Sequence, residues 1–243
     1  MGWSRRLPLS TRSNRCPSLA KRPLRHRLTV VSLAIAAGCQ GLGRDGGARQ
    51  VVEVALPEPH ERYGPRAEAP VSVVEFGSHS CSLCRRFAIE QFPVLDSLFF
   101  QSGRARYRYV DVPPDPDAAI LGGVVECLSG AVGGFVPARL MVYSRPGSDS
   151  DALIEAVAGR LGMDGRVLRA CADSVASSPR ASKERLAARA LEVPGTPTFL
   201  VGEVTSDGRL VGWPTVGLAP LDTLRRQIEE AEALVLVLRA RDP

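Results

Sequence analysis

The chain has 243 residues, 44% of them hydrophobic, so it is long enough to bury a full globular core. Its formal net charge is +5, but residues 1–38 hold eight of the 31 Lys and Arg residues and no acidic residue. The rest of the chain carries a net charge of about −3, which argues against a basic nucleic-acid-binding surface and predicts no nucleic-acid partner.

Residues 1–38 have the features of an export signal. A long basic region precedes an apolar run of about a dozen residues, which is too short for a membrane span of about 20 residues. Gly38-Cys39 then resembles the lipobox of bacterial lipoproteins, although Ala36 stands where Leu is usual. We expect a lipid anchor at Cys39 and a place in the cell envelope or periplasm. A secreted protein, an uncleaved anchor or a transit peptide are the alternatives.

Residues 39–68 are predicted to form a tether. They are rich in Gly, Pro and charged residues, which is typical of a flexible linker. A weak alternation of apolar residues at 51–56 indicates an edge strand within it. Such a tether would let a lipid-held domain reach partners away from the membrane.

The most informative stretch is residues 71–87, with the sequence VSVVEFGSHSCSLCRRF. Its β-branched first half predicts a buried strand, its small and polar middle a turn, and its last part the start of a helix. Cys81 and Cys84 would lie in the first turn of that helix. The unpaired N–H groups and the dipole at a helix start stabilise a thiolate, so the pKa of Cys81 should fall well below about 8.5. Cys81 is the expected nucleophile and Cys84 its shielded partner.

Two cysteines separated by two residues fit three kinds of site: a redox-active pair, half of a zinc site, or a structural disulfide. A zinc site needs two further ligands, and the sequence has no second pair of this spacing. His60 and His79 are the only histidines after the N-terminal segment. No metal ligand set is therefore predicted, and His79 is expected to be a solvated residue of the turn.

The next elements are a strand and a group of helices. Residues 104–112 alternate in polarity, which predicts a strand with one buried face and a right-handed βαβ unit. The helix in between should bend or break at Pro93. Helices are predicted near 117–132, 150–161, 164–173 and 179–191, with a turn at 133–137.

Of the five cysteines outside the signal segment, four are left to pair once Cys39 is set aside for the lipid, and this is an even set. If Cys39 carries lipid and Cys81 pairs with Cys84, then Cys127 and Cys171 remain. Their disulfide would close a loop of about 45 residues and stabilise the fold by about 4 kcal/mol. The alternative is two unrelated buried thiols.

The C-terminal part returns to strands and ends in a helix. Residues 193–202 predict a loop with two prolines followed by a short strand, and residues 209–213 complete a hairpin. Residues 220–239 predict an amphipathic helix. Its expected buried positions are Leu221, Leu224, Ile228, Leu234 and Leu238.

These features together resemble the DsbA-like branch of the thioredoxin superfamily. The resemblance lies in the strand ending at 74–76, the Cys81-Ser82-Leu83-Cys84 pair, the helical stretch and Gly195-Thr196-Pro197-Thr198-Phe199. It covers about residues 68–240. It implies an α/β thioredoxin fold, a central mixed sheet flanked by helices. The thioredoxin-fold domain would comprise 69–114 and 193–243, and 115–192 would form an inserted helical subdomain.

The resemblance also implies roles for residues outside the cysteine pair. Pro197 would be cis and face the disulfide, and the backbone of Thr196 would pair with an extended substrate. Glu75 matches a buried acid that accepts a proton from Cys84, the alternative being a carboxylate that reaches solvent. Cys127 and Cys171 match positions that are paired in some members.

The resemblance implies thiol–disulfide exchange with cysteine-containing exported proteins, through a membrane or soluble redox partner and without a cofactor. Ser82-Leu83 replaces the Pro-His pair familiar between the cysteines, so no imidazole stands there to stabilise the thiolate. The direction, oxidase or reductase, stays open. The alternative function is a non-catalytic binding or scaffold module in which the Cys81–Cys84 disulfide is a fixed link.

Overall fold

A five-stranded mixed sheet forms the centre of the fold. The computed structural model describes residues 52–55, 63, 69–205 and 209–239, so Cys39 and the predicted signal segment lie outside the described residues. The strands are β1 (Val52–Ala55), β2 (Val71–Gly77), β3 (Ala105–Asp111), β4 (Thr198–Val204) and β5 (Arg209–Val216). Their order is β1-β5-β4-β2-β3, with β2 and β3 parallel and the other neighbours antiparallel.

Strand β2 is central because its seven residues are all buried and both of its edges are paired. Its parallel pairing with β3 confirms the predicted βαβ unit. The expectation that β3 buries one face only is wrong, since Arg108 and Val110 are buried as well. Val110 packs in a second apolar cluster with Ala188 on the other side of the sheet. Helices therefore cover both faces of β3.

A continuous helical stretch follows β2. It consists of α1 (Ser82–Arg86), a π-helical turn (Phe87–Gln91), α2 (Phe92–Leu95) and a second π-helical turn (Asp96–Phe100). Pro93 lies in the first turn of α2. The chain stays helical through this proline, and the wider π-helical turns on either side take up the hydrogen-bond disruption expected there.

Five helices connect β3 to β4, and we refer to them as the helical insertion. They are α3 (Pro116–Ser129), α4 (Phe135–Tyr143), α5 (Ser150–Leu161), α6 (Gly165–Ala176) and α7 (Pro179–Ala190). The predicted turn at 133–137 is wrong in its second half, where α4 begins. The connection spans residues 130–134 and includes Gly133 and Gly134, with φ of 87° and 121°. Pro137 fits the first turn of α4 because the N–H groups there have no helical partner.

The helical insertion is held together by a disulfide and by close helix packing. Cys127 of α3 and Cys171 of α6 are disulfide-bonded with their Cα atoms 6.2 Å apart. Cys171 thus lies in the fourth helix of the insertion, and not in the third as expected, because α4 was not predicted. A Cβ on Gly123 would lie 2.3 Å from the Ala172 carbonyl oxygen, so this approach of α3 to α6 requires glycine.

The C-terminal helix α8 (Leu221–Arg239) packs against the sheet as predicted, with one correction. Its buried positions include Leu224, Ile228 and Val235, whereas Leu234 is 47% exposed. A helical period of 3.6 residues from Ile228 reaches position 235, so Val235 takes the place expected for Leu234. The side chain of Leu238 is not among the described parts of the structure.

Part of the predicted tether belongs to the fold. β1 is the edge strand expected near 51–56 and pairs with β5. Tyr63 bridges to Tyr107 of β3 and donates a hydrogen bond from its hydroxyl to Asp96 at 2.7 Å. In the described part of the chain, no helix has the length and apolar composition needed to cross a membrane.

Candidate active site

The two cysteines lie at the start of α1, just after the turn that follows β2. Cys81 is the N-cap residue of α1, and the backbone N–H of Cys84 donates to its Sγ at 3.3 Å. Cys81 is partly exposed, whereas Cys84 is fully buried. The cysteines are not bonded to each other, so the geometry is that of the reduced dithiol. The exposed Cys81 sulfur and the shielded Cys84 sulfur thus lie as the sequence predicts.

The Thr196–Pro197 loop faces Cys81 from the neighbouring strand. The Thr196–Pro197 peptide bond is cis, and the Thr196 carbonyl oxygen lies 3.3 Å from the Cys81 Sγ, which donates to it as a thiol. Because β4 pairs with β2, the loop that precedes β4 reaches the end of β2 where the cysteines begin. The structure thus brings together two motifs that lie 115 residues apart in sequence.

The environment of Cys81 favours its thiolate. Its pKa is lowered to about 5, and the largest cause is a hydrogen bond from the Cys84 thiol. Desolvation opposes this shift, while the Thr196 side chain and the backbone N–H groups at the start of α1 support it. Helix N-termini lower thiol pKa values in the same way elsewhere. Cys81 is therefore ionised near neutral pH without an imidazole between the cysteines.

Cys84 has the opposite environment. Its pKa is raised well above that of an ordinary thiol, because its thiol donates to Cys81, because it is buried, and because Glu75 carries a negative charge nearby. It packs in a small cluster with Ala88, Tyr143 and Cys81. The pair is thus divided into one thiolate and one protonated thiol.

A buried ion pair occupies the space below the dithiol. Glu75 of β2 and Arg139 of α4 are 0% and 2% exposed, and Arg139 Nη2 lies 2.6 Å from Glu75 Oε1. Arg139 Nη1 donates to Glu75 Oε2 at 3.1 Å and to the Tyr107 hydroxyl at 2.8 Å. The Tyr107 hydroxyl in turn donates to Glu75 Oε2 at 2.5 Å. The carboxylate does not reach solvent, and both of its oxygens are engaged.

Helix α4 also contacts the cysteine helix directly. Arg85 Nε donates to the Tyr143 carbonyl oxygen at 2.8 Å, and the Tyr143 hydroxyl donates to the Ser78 carbonyl oxygen at 3.3 Å. His79 is 5% exposed, with its ring 4.8 Å from the ring of Tyr109. The expectation of a solvated His79 is wrong because the helical insertion covers the turn.

Comparison with known proteins agrees with this architecture. A family model described as Thioredoxin matches residues 60–211. The chain belongs to the thioredoxin family. No significant match is found among curated protein sequences.

Solved structures of DsbA proteins and of BdbD share the fold of this thioredoxin-family chain. Wolbachia pipientis alpha-DsbA1 is 18% identical with a TM-score of 0.65, covering 75% of this chain and 96% of that one. Chlamydia trachomatis DsbA is 17% identical with a TM-score of 0.59, and the match covers 74% of this chain and 96% of that one. Oxidised BdbD from Bacillus subtilis is 18% identical with a TM-score of 0.57, and the match covers 70% of this chain and 91% of that one. The expected DsbA-like thioredoxin fold is thus confirmed.

An open cleft of about 570 Å³ lies beside Cys81 in this thioredoxin-family site. It runs between the cysteine turn and the helical insertion, and its wall includes Leu121, Tyr143 and Arg145. The cleft leaves room for a polypeptide segment next to the reactive sulfur. Among the described residues, no group of three or more His, Cys, Asp or Glu side chains is arranged to hold a metal ion.

Sequence reasoning placed Glu75 correctly in a buried strand and missed its partner. Arg139 and Tyr143 belong to α4, a helix that was not predicted because residues 133–137 were expected to form a turn. One signal was available in the sequence. The alternation at 104–112 puts Tyr107 on the predicted buried face, and a buried tyrosine hydroxyl needs a hydrogen-bond partner.

Proposed function

We propose that the protein is an exported thiol:disulfide oxidoreductase that acts on cysteine-containing proteins of the cell envelope through Cys81 and Cys84. One observation carries the proposal. A partly exposed Cys81 is held as a thiolate at the start of a helix and faces the Thr196–Pro197 loop, while Cys84 is buried and protonated. This division is what a nucleophile and a resolving thiol require.

In the oxidising direction the cycle begins with a Cys81–Cys84 disulfide. A substrate thiolate attacks the Cys81 sulfur, and Cys84 leaves as a thiolate that takes up a proton. The second substrate thiolate then attacks the substrate sulfur of the mixed disulfide and expels the Cys81 thiolate. The substrate loses two electrons, and the Cys81–Cys84 disulfide gains them and becomes the dithiol. In the reducing direction the Cys81 thiolate attacks first and Cys84 resolves the intermediate.

The lowered pKa of Cys81 bears on the direction. It stabilises the reduced protein, and a stabilised reduced form makes a couple more oxidising. We therefore place the reduction potential above the value of about −270 mV that is typical of thioredoxin. The redox partner, soluble or in the membrane, then decides the direction of net transfer.

Substrate binding uses the backbone next to Cys81. In this proposal an extended segment pairs with the backbone of Thr196 in β-sheet fashion, which is independent of side-chain sequence. The cleft beside Cys81 accommodates an adjoining part of the same substrate. Glu75 is proposed to accept the Cys84 proton, and the Cys127–Cys171 disulfide is structural. A lipid at Cys39 would hold the protein at the membrane.

The test is exchange with a real protein substrate. The oxidised wild-type protein should restore disulfides to a reduced, unfolded, cysteine-containing protein, and the reduced protein should cleave insulin disulfides. Cys81→Ala should abolish both activities, whereas Cys84→Ala should trap mixed disulfides. Rates no higher than those of Cys81→Ala would instead support a non-catalytic module. Cys39→Ala should move the protein from the membrane to the soluble fraction.

A further inference from the structure

The helical insertion contributes the only described cation in direct contact with Glu75. Arg139 extends from α4 into the interior of the sheet layer and forms two hydrogen bonds to the Glu75 carboxylate, at 2.6 and 3.1 Å. Its guanidinium also stacks over the Tyr109 ring at 4.6 Å. An arginine this deeply buried, with both of its Nη atoms hydrogen-bonded, is fixed in one orientation.

The same helix places a second side chain between this pair and the dithiol. Tyr143 lies one turn after Arg139, accepts a hydrogen bond from Arg139 Nη2 at 3.3 Å, and packs against Cys84. Gly77 keeps the space open, because a Cβ there would lie 2.8 Å from Glu75 Oε1. The ion pair and the buried thiol therefore share one enclosed region.

We propose that Arg139 is a positioning residue of the dithiol, which offsets the charge of Glu75 and thereby shifts the equilibrium between dithiol and disulfide toward the dithiol. The inference deepens the proposed function and rests on it. A neighbouring carboxylate destabilises a thiolate, and a cation that balances the carboxylate reduces this effect. Arg139 provides this positive charge from α4, which is separate in sequence from the cysteine motif. Glu75, Tyr107, Tyr109 and Tyr143 are the titratable groups in contact with it.

The raised pKa of Cys84 supports this account, since the charge of Glu75 is one of its causes. Without Arg139 that charge would act on the Cys84 sulfur at full strength. The Cys84 thiolate would then leave more slowly in the oxidising direction and form less readily in the reducing direction. The role expected for Glu75 as a proton acceptor is kinetic and cannot change an equilibrium constant, so the two roles can be separated.

The experiment measures the equilibrium constant of the dithiol/disulfide couple against glutathione at pH 7, together with the titration of the Cys81 thiolate. Arg139→Met should shift the equilibrium at least tenfold toward the disulfide, which equals about 30 mV, and raise the pKa of Cys81. Glu75→Gln should shift it at least threefold in the opposite direction. The double variant, which removes both charges, should return to within threefold of wild type, and Arg139→Lys should stay within threefold as well.

A matched control exists on the surface. Arg104 forms an equally short pair with Glu232, with N–O distances of 3.0 and 2.6 Å, but its side chain is 46% exposed. Arg104→Met should leave the equilibrium constant unchanged. An Arg139→Met protein that is folded and keeps the wild-type equilibrium constant would overturn the inference.

If Arg139→Met does not fold, Glu75→Gln decides by the sign of its shift. No shift, or a shift toward the disulfide, would overturn the inference. These measurements use only glutathione, so they do not depend on turnover of a protein substrate. A wild-type protein that equilibrates with glutathione but exchanges with no protein would defeat the proposed function alone.

Discussion

The reactive state of Cys81 should titrate in the acid range. With a pKa of about 5, the ratio of thiolate to thiol at pH 7 is about 100, so the sulfur is almost fully ionised. An ordinary thiol with a pKa of about 8.5 is only about 3% ionised at that pH, which gives Cys81 roughly 30 times more thiolate. Acidification from pH 7 to pH 4 should therefore remove most of its reactivity.

The assay is alkylation of the reduced protein by iodoacetamide at a series of pH values, together with the ultraviolet absorbance of the thiolate. Both signals should have a midpoint near pH 5. Cys81→Ala is the control, because the raised pKa of Cys84 leaves no second thiolate in this range. A midpoint at pH 8 or above would refute the reasoning from the helix start and the Cys84 hydrogen bond.

The same shift predicts a change in stability whose sign can be stated. The pKa of Cys81 is lower in the folded reduced protein than in the unfolded chain, so its ionisation stabilises the fold fully above about pH 8.5. This stabilisation decreases as the pH falls toward 5. The part present at pH 7 has a ceiling of about 2.7 kcal/mol, and partial exposure reduces it to about 1–1.5 kcal/mol. Urea unfolding of reduced wild type and Cys81→Ser should show their free-energy difference shrink by that amount from pH 7 to pH 4, and a constant difference would contradict the linkage.

Two further predictions concern stability. Gly77→Ala should lower the free energy of unfolding by about 1–3 kcal/mol, because its Cβ would lie 2.6 Å from the Tyr109 ring, whereas Gly130→Ala, with no neighbouring atom within 4 Å of the added carbon, should be nearly neutral. Equal urea midpoints for the two variants would show that the close contact relaxes at no cost. Replacing Cys127 and Cys171 together by Ala should lower the free energy of unfolding by about 2–4 kcal/mol, measured in the same way, and an unchanged midpoint would show that the link constrains neither state.

The cysteine site was predictable because its signals are local. The run at 71–77 is mostly apolar and β-branched, and the small and polar residues that follow favour a turn, so the sequence predicts a helix that begins near Cys81. The Thr196–Pro197 loop was placed by resemblance, since no local rule brings it to Cys81. The sheet achieves this through the antiparallel pairing of β4 with β2.

Helix α4 was not predictable by the same means. Gly133, Gly134 and Pro137 within five residues favour a turn, but a proline also fits the first turn of a helix, as Pro137 does in α4. The burial of Arg139 could not be predicted either, because it depends on how the helical insertion packs over the sheet. His79 was misjudged for the same reason, since the insertion covers a turn that the sequence shows only as polar.

The buried ion pair makes the helical insertion part of the redox site and not merely a cover. Glu75 lies on the central strand, and its partner Arg139 comes from α4, so the charge balance below Cys84 exists only when both layers are packed. Leaving one member of a buried pair alone costs about 3–5 kcal/mol, a large share of the 5–15 kcal/mol that stabilises a typical domain. A sheet layer without the insertion would have to neutralise Glu75 or unfold around it. The sequence of the insertion is therefore constrained at α4 by the chemistry of the dithiol as well as by its own packing.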